Sequence, residues 1–145
     1  MFQSRWDFGL AAQDALALRR AVLVEGMGLA EADVFDRYDE IGAHLYIWDA
    51  NGPIAAGRIY PQGEATAIGA IVVAPNQGDA LFADLVLRVL LDKAQTLAGD
   101  PILAKPLAKD IPLYRSFGFE LAGYAPDVYS VPINGVRWHS ACKET

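Results

Sequence analysis

Residues 71–94, IVVAPNQGDALFADLVLRVLLDKA, decide the fold class of this chain. They begin with an apolar run typical of a central strand, pass through a short polar turn that contains Gly78, and continue as an apolar segment long enough for a helix. The amides of such a turn, together with the positive end of the helix dipole, can bind a phosphate group. A glycine-containing turn is weak evidence alone, so an ordinary strand-to-helix connection is an equal interpretation.

The segments on either side predict one domain, residues 1–145, of the mixed α/β (α+β) class. In the helix at 79–98 we expect Leu81, Leu85 and Leu90 on the buried side, with Asp84 and Arg88 more exposed. The remaining predicted elements are a strand at 2–8, a helix at 10–25, a hairpin of 43–49 and 54–60, a strand at 65–73, a short strand at 101–107, a short helix at 108–118, and a final strand pair at 119–125 and 127–133.

Composition excludes several classes of protein. Hydrophobic residues make up 53% and charged residues 21%, which favours a globular protein over a disordered one. The net charge of −6 argues against bulk nucleic-acid binding, which needs a basic face. The N-terminal residues lack the pattern of a signal peptide and no apolar run is long enough to span a membrane, so we expect a cytoplasmic protein that is not membrane-bound.

Cysteine and histidine are too few for a disulfide or for a zinc site. Cys142 is the only cysteine, so no internal disulfide is possible. His139 and Cys142 form one ligand pair in the stretch WHSAC, but a second pair is missing, and no metal is expected.

Three stretches carry a resemblance to a known family. Residues 18–25, LRRAVLVE, are similar to an arginine followed by V-F-V-V-E, and an acidic run with His44 follows them. Residues 70–86 are similar to a strand followed by [Q/R]-x-x-G-x-[G/A] and a helix, and residues 113–124, LYRSFGFELAGY, to F-Y-x-x-x-G-F, the most specific of the three. With the element order they resemble the GNAT superfamily of acetyl-CoA-dependent N-acetyltransferases, in particular its ElaA-like branch. The resemblance implies a mainly antiparallel sheet with a V-shaped splay, flanked by helices.

The resemblance also implies an activity and a site. The activity is the transfer of an acetyl group from acetyl-CoA directly to the amine of a small molecule or a protein. Tyr114 would protonate the departing thiolate, and main-chain groups of Ile71, Val72 and Val73 would bind the pantetheine arm, with Val73 also polarising the thioester carbonyl. The residues that would hold the pyrophosphate are Gln77, Gly78, Asp79, Ala80, Leu81 and Phe82.

The turn departs from the family pattern at three positions. Ala80 replaces the central glycine, Phe82 replaces the final small residue, and Asp79 lies where a basic residue is usual. A phenylalanine ring that points into the cleft would obstruct the cofactor, whereas a ring that packs into the helix core would not. These departures favour a second interpretation, a GNAT-fold protein that has lost acetyl-CoA binding and acts as a binding or regulatory partner.

Other polar residues are open to two interpretations each. Glu25 and His44 are candidate substrate-binding or catalytic groups, or a surface carboxylate and a structural histidine. Tyr114 itself is compatible with a plain packing role. The sheet edges leave a homodimer possible. An acidic run could attract an amine or form a solvated loop; it consists of Glu31, Asp33, Asp36, Asp39 and Glu40.

Overall fold

The structure is a computed structural model that describes residues 1–75 and 77–138. Its strands are β1 (Gln3–Phe8), β2 (Ala43–Asp49), β3 (Gly52–Gln62), β4 (Ala65–Val73), β5 (Ile102–Ala104), β6 (Glu120–Leu121) and β7 (Tyr129–Val131). Its α-helices are α1 (Gln13–Arg19), α2 (Glu31–Val34), α3 (Asp79–Ala94) and α4 (Ile111–Ser116). The predicted mixed class is confirmed, and the final strands are shorter than predicted. His139 and Cys142 lie outside the described residues.

One seven-stranded sheet organises these elements, in the order β1-β2-β3-β4-β5-β7-β6. All neighbouring strands are antiparallel except β4 and β5, which run parallel. The pairing of β4 with β5 covers only three positions and ends where Ile68 lies opposite Ala104, whereas β4 continues to Val73. The sheet therefore opens into a V between these two strands, as the resemblance implies.

A β-bulge in β4 lies where the opening begins. On one side of it Ala56 pairs with Val72, and on the other side Arg58 pairs with Gly69, so that Ala70 and the residue after it face only one residue of β3. Ala70 has a positive φ of 51°, which is unusual for a residue other than glycine. A bulge of this kind bends the strand and increases its twist, which turns the end of β4 away from β5.

The helices cover the two faces of the sheet. On one face α1 and the π-helical segment that continues it (Arg20–Gly26) contribute Leu18 and Leu23 to a core shared with Val72. On the other face α3 packs with Tyr114 of α4, and the buried face of α3 consists of Ala83, Asp84, Val86, Leu87, Leu90, Leu91 and Ala94. Among the described residues no helix has both the length and the hydropathy that crossing a membrane requires.

Our prediction of the buried face of α3 is wrong at Leu81 and at Asp84. Leu81 is 63% exposed, and Asp84 is buried beside Arg88, to which its carboxylate is hydrogen-bonded. The apolar residues of this helix surround most of its circumference, so the sequence pattern does not define a single stripe. The buried face is determined instead by the close approach of the sheet, because Gly57 of β3 faces Val86 and Leu90 of α3.

We expect Gly57→Ala to destabilise the fold. A Cβ atom at this position would lie 2.7 Å from Val86 Cγ1 and 3.1 Å from Leu90 Cδ1, both in the core. Overpacking of this kind costs about 1–3 kcal/mol in the free energy of unfolding, which denaturant titration measures. As a control, the same substitution in a Val86→Ala background should cost clearly less, because the nearest atom is removed. An equal cost in both backgrounds would contradict the steric explanation.

Candidate active site

A cavity of about 530 Å³ lies at the point where β4 and β5 separate. Its floor is formed by the bulge residues of β4 and by the end of β5. One wall consists of the loop before β2, and another of the turn between β6 and β7. Residues that line it include Asp33, Asp36, Tyr38, Arg58, Tyr60, Gly69, Ala70, Ile71, Ala104, Lys105, Leu107, Tyr114 and Tyr124.

Tyr114 lines this cavity from α4, as its predicted role requires. Its side chain is 2% exposed and packs edge-to-face against Phe119, with ring centroids 5.2 Å apart. Burial raises the pKa of Tyr114 far above that of a free phenol, and the nearby Asp110 carboxylate raises the pKa further. The hydroxyl therefore keeps its proton throughout the neutral pH range.

The free edge of β4 supplies main-chain groups beside the cavity. The amide of Ala74 donates to the Ile54 carbonyl of β3 at 2.7 Å, and bonding directions alternate along an antiparallel strand. Val72 therefore directs its amide and carbonyl towards β3, whereas Val73 directs them away from β3, on the side where the pairing with β5 has ended. The role of these three residues in binding pantetheine stays a prediction: Ile71 lines the cavity but lies in the bulge, where the alternation is interrupted, and Val72 and Val73 do not line the cavity.

The turn before α3 leaves several amides without partners in the helix. Gly78 is the N-cap residue and its φ is −72°, and no side chain caps the helix. The first regular helical bond runs from the Phe82 amide to the Gly78 carbonyl at 2.9 Å. The amides of residues 78–81 precede this bond, so they lie at the positive end of the helix dipole and suit an anion.

Phe82 does not obstruct the cleft. Its ring packs edge-to-face against Phe2 with centroids 5.7 Å apart, and its side chain lies against the main core. Neither Phe82 nor any of residues 77–81 is among those that line the cavity. Asp79 is 61% exposed at the first position of α3, and its carboxylate lies 3.8 Å from Lys109 Nζ. The Phe82 ring therefore gives no steric objection to cofactor binding, whereas the negative charge of Asp79 still opposes it.

His44 belongs to a buried network and does not line the cavity. Its side chain is fully buried; Nε2 lies 3.0 Å from the Asp39 carbonyl and Nδ1 lies 3.3 Å from Arg19 Nη2. Arg19 can only donate, so the ring accepts at Nδ1 and donates from Nε2, which is the neutral tautomer. Burial and the charge of Arg19 both lower the pKa of His44. The structure favours the structural interpretation of this histidine.

Two arginines that the sequence did not single out hold this network together. Arg19 Nη1 and Arg58 Nη1 both donate to Asp39 Oδ1, at 2.7 Å and 2.8 Å, and Arg58 also binds both carboxylate oxygens of Asp36. Arg58 Nε is buried without a hydrogen-bond partner among the described residues. An arginine in each of two apolar segments, with an acidic run between them, was the available sequence signal.

The other candidate carboxylates differ in whether they line the cavity and whether they form ion pairs. Glu25 is exposed on the π-helical segment and does not line the cavity, so its predicted role gains no support. In the acidic run Glu31 pairs with Arg20, and Asp36 and Asp39 pair as above. Asp33 lines the cavity and has no ion pair within the described part of the chain. No group of three potential metal ligands is present among those residues either.

We expect His44 to make the fold less stable in mild acid. A group whose pKa is lower in the folded state than its ordinary value of about 6.5 gives stability that is lost as the pH falls below that value. The slope approaches ~1.4 kcal/mol per pH unit, measured by denaturant unfolding between pH 7.5 and 5. The measurement uses a His139→Gln background, which leaves His44 as the single histidine. Adding His44→Asn should flatten the slope; an unchanged slope would assign it to other groups.

Comparison with known proteins supports the same fold. No protein-family profile matches the sequence. A candidate N-acetyltransferase from Lactobacillus plantarum superposes with a TM-score of 0.76 at 17% identity, over 91% of this chain and 98% of that one. ElaA of Escherichia coli gives 0.71 at 19% identity over 90% and 97% of the two chains. An acyl-CoA N-acyltransferase from Pseudomonas aeruginosa gives 0.71 at 20% identity over 90% and 99%. The chain therefore has the fold of the GNAT acetyltransferases, with ElaA among its structural relatives.

Proposed function

We propose that this chain is an N-acyltransferase that transfers an acetyl group from acetyl-CoA directly to an amine. The observation that carries the proposal is the arrangement of three groups around the separation of β4 from β5: the edge of β4 that is unpaired beyond Ile68, Tyr114 in the cavity wall, and the uncapped start of α3, which follows β4 in the chain. Each of these can meet a different part of acetyl-CoA. The solved structures with this fold include an acyl-CoA N-acyltransferase, which supports the choice of co-substrate.

The residues present fit acetyl-CoA. The amide and carbonyl of Val73 point away from β3 and have no partner strand in β5, so they can bind an extended pantetheine arm as a neighbouring strand would. The amides at the start of α3 suit its diphosphate. When bound, acetyl-CoA supplies a thioester that an amine can attack, so that a C–N bond forms and the C–S bond breaks.

The chain's own groups then have separate tasks. The Val73 amide donates to the carbonyl oxygen as negative charge develops on it. Tyr114 gives its phenolic proton to the leaving sulfur, and a dry environment raises the proton affinity of that sulfur as well as of the phenol. The attacking amine loses a proton to water, and Tyr114 is reprotonated from solvent through the cavity. Asp33, with no ion pair among the described residues, can attract the protonated form of the amine.

A second function rests on the turn itself. Residues 75–79 contain no basic side chain and end in Asp79, which disfavours the approach of a diphosphate. A chain that has lost acetyl-CoA binding would keep the fold and act as a binding or regulatory partner. Because Phe82 packs against the core, the second function gains no support from steric obstruction. Its support is the negative charge of Asp79.

Calorimetric titration separates the two functions. We expect acetyl-CoA and CoA to bind and to raise the melting temperature, since a ligand at about 100 times its Kd stabilises the fold by ~2.7 kcal/mol. ADP, which lacks the pantetheine arm, serves as the control and should bind more weakly. The absence of heat and of any thermal shift at millimolar CoA would reject the enzyme and leave the regulatory function.

Replacement of Tyr114 tests the proposed acid. Tyr114→Phe should lower kcat with an amine acceptor by about a hundredfold, within the usual range for general acid catalysis, and should leave the Kd of CoA unchanged. The fold should tolerate the change, because the hydroxyl has no hydrogen bond among the described residues. Tyr124→Phe is the matched control, since Tyr124 also lines the cavity but is 70% exposed. An unchanged rate in Tyr114→Phe would remove its role as acid.

A further inference from the structure

The connection between β5 and α4 approaches the start of α3. Lys109 lies in this connection, one residue before Asp110, the N-cap residue of α4, and its Nζ is 3.8 Å from the Asp79 carboxylate and 3.1 Å from that of Asp110. The side chains of Lys109 and Asp79 are 49% and 61% exposed. Lys109 thus holds a positive charge beside the start of α3, next to the carboxylate of the turn.

The turn itself cannot supply this charge. Its residues 75–79 are Pro, Asn, Gln, Gly and Asp, so its only charged side chain is a carboxylate. A diphosphate placed at the amides of residues 78–81 would meet that carboxylate at close range and would be repelled. Binding therefore needs a cation that neutralises Asp79 or binds the diphosphate directly, and a lysine ammonium with three donors can do both.

We propose that Lys109 is a diphosphate-binding residue of this chain, one that the β5–α4 connection provides in place of a basic residue in the turn. The inference rests on the proposed function, because it assigns a residue to the acetyl-CoA site. In the free protein Lys109 is shared between Asp79 and Asp110. When the diphosphate arrives at the start of α3, the ammonium turns from Asp79 to the phosphate oxygens, and Asp79 remains within the field of the same charge.

The simpler interpretation is a surface ion pair without a ligand. Exposed pairs of this kind contribute little to stability, so the pair alone gives no reason for its presence. The two interpretations differ in what a substitution does: a surface pair affects unfolding slightly and ligand binding not at all, whereas a diphosphate-binding lysine affects only ligands that carry phosphate.

The test compares two ligands by calorimetry, CoA and pantetheine, which lacks every phosphate group. Lys109→Gln should weaken CoA binding about tenfold, the usual effect of a lost charged hydrogen bond, and should leave pantetheine binding unchanged. Asp79→Asn should tighten CoA binding about threefold, because the repulsion is removed. Lys109→Arg keeps the charge and should restore most of the CoA affinity. The effect of Lys109→Gln on CoA should decrease at high salt.

Lys93→Gln is the matched control. Lys93 lies on the same helix fourteen residues beyond Asp79, ~21 Å along its axis, and its ammonium packs over the ring of Trp6. This variant should bind CoA as the unaltered protein does. Thermal unfolding of every variant without ligand shows whether the fold is retained.

The outcomes separate the inference from the function on which it rests. If the unaltered protein binds CoA and Lys109→Gln binds it equally well, the inference is wrong and the proposed function stands. Equal weakening of CoA and pantetheine would also overturn the inference, because the effect would then be structural. If the unaltered protein binds neither ligand, both the proposed function and the inference fail.

Discussion

The separation of β4 from β5 is the constraint on which the candidate site depends. Backbone amides and carbonyls in a sheet are normally all paired, and leaving them unpaired away from water is costly. In this chain β5 ends at Ala104, opposite Ile68, and the bulge at Ala70 turns the remainder of β4 away. The main-chain groups of β4 on this side are therefore left without a partner in β5 beyond Ile68. An extended ligand that pairs with them recovers hydrogen bonds that the fold alone does not form.

The bulge is in turn held by packing on the helical side. Ala70 in the left-handed region is strained, and such strain persists only where the surroundings impose it. Directly opposite, Gly57 lets Val86 and Leu90 of α3 approach the sheet more closely than any side chain would permit. The same contact fixes the position of α3, and with it the uncapped N-terminal end of that helix. The position of the helix end and the course of β4 therefore depend on one region of close packing.

The sequence predicts the architecture well and the orientation of single side chains poorly. Apolar runs and turn residues define the order of elements, and the family resemblance correctly implies the splay and places Tyr114 beside it. The direction of the Phe82 ring depends on Phe2, which lies 80 residues earlier and has no local signal. The burial of Asp84 likewise depends on where the sheet approaches a helix that is apolar on several sides. Such tertiary contacts cannot be inferred from hydrophobic periodicity.

The acidic run shows why net charge is a poor guide to the acceptor. Counted in the sequence, its five carboxylates form a negative rim in front of the sheet. In the fold Asp39 is buried between Arg19 and Arg58, Asp36 is neutralised by Arg58, and Glu31 by Arg20. These pairs attach the loop to the sheet, and of the five carboxylates Asp33 and Asp36 line the cavity. Among the charged residues that line the cavity, Asp33 and Lys105 have no ion pair within the described part of the chain, so the charge inside the cavity depends on them more than on the net charge of the sequence.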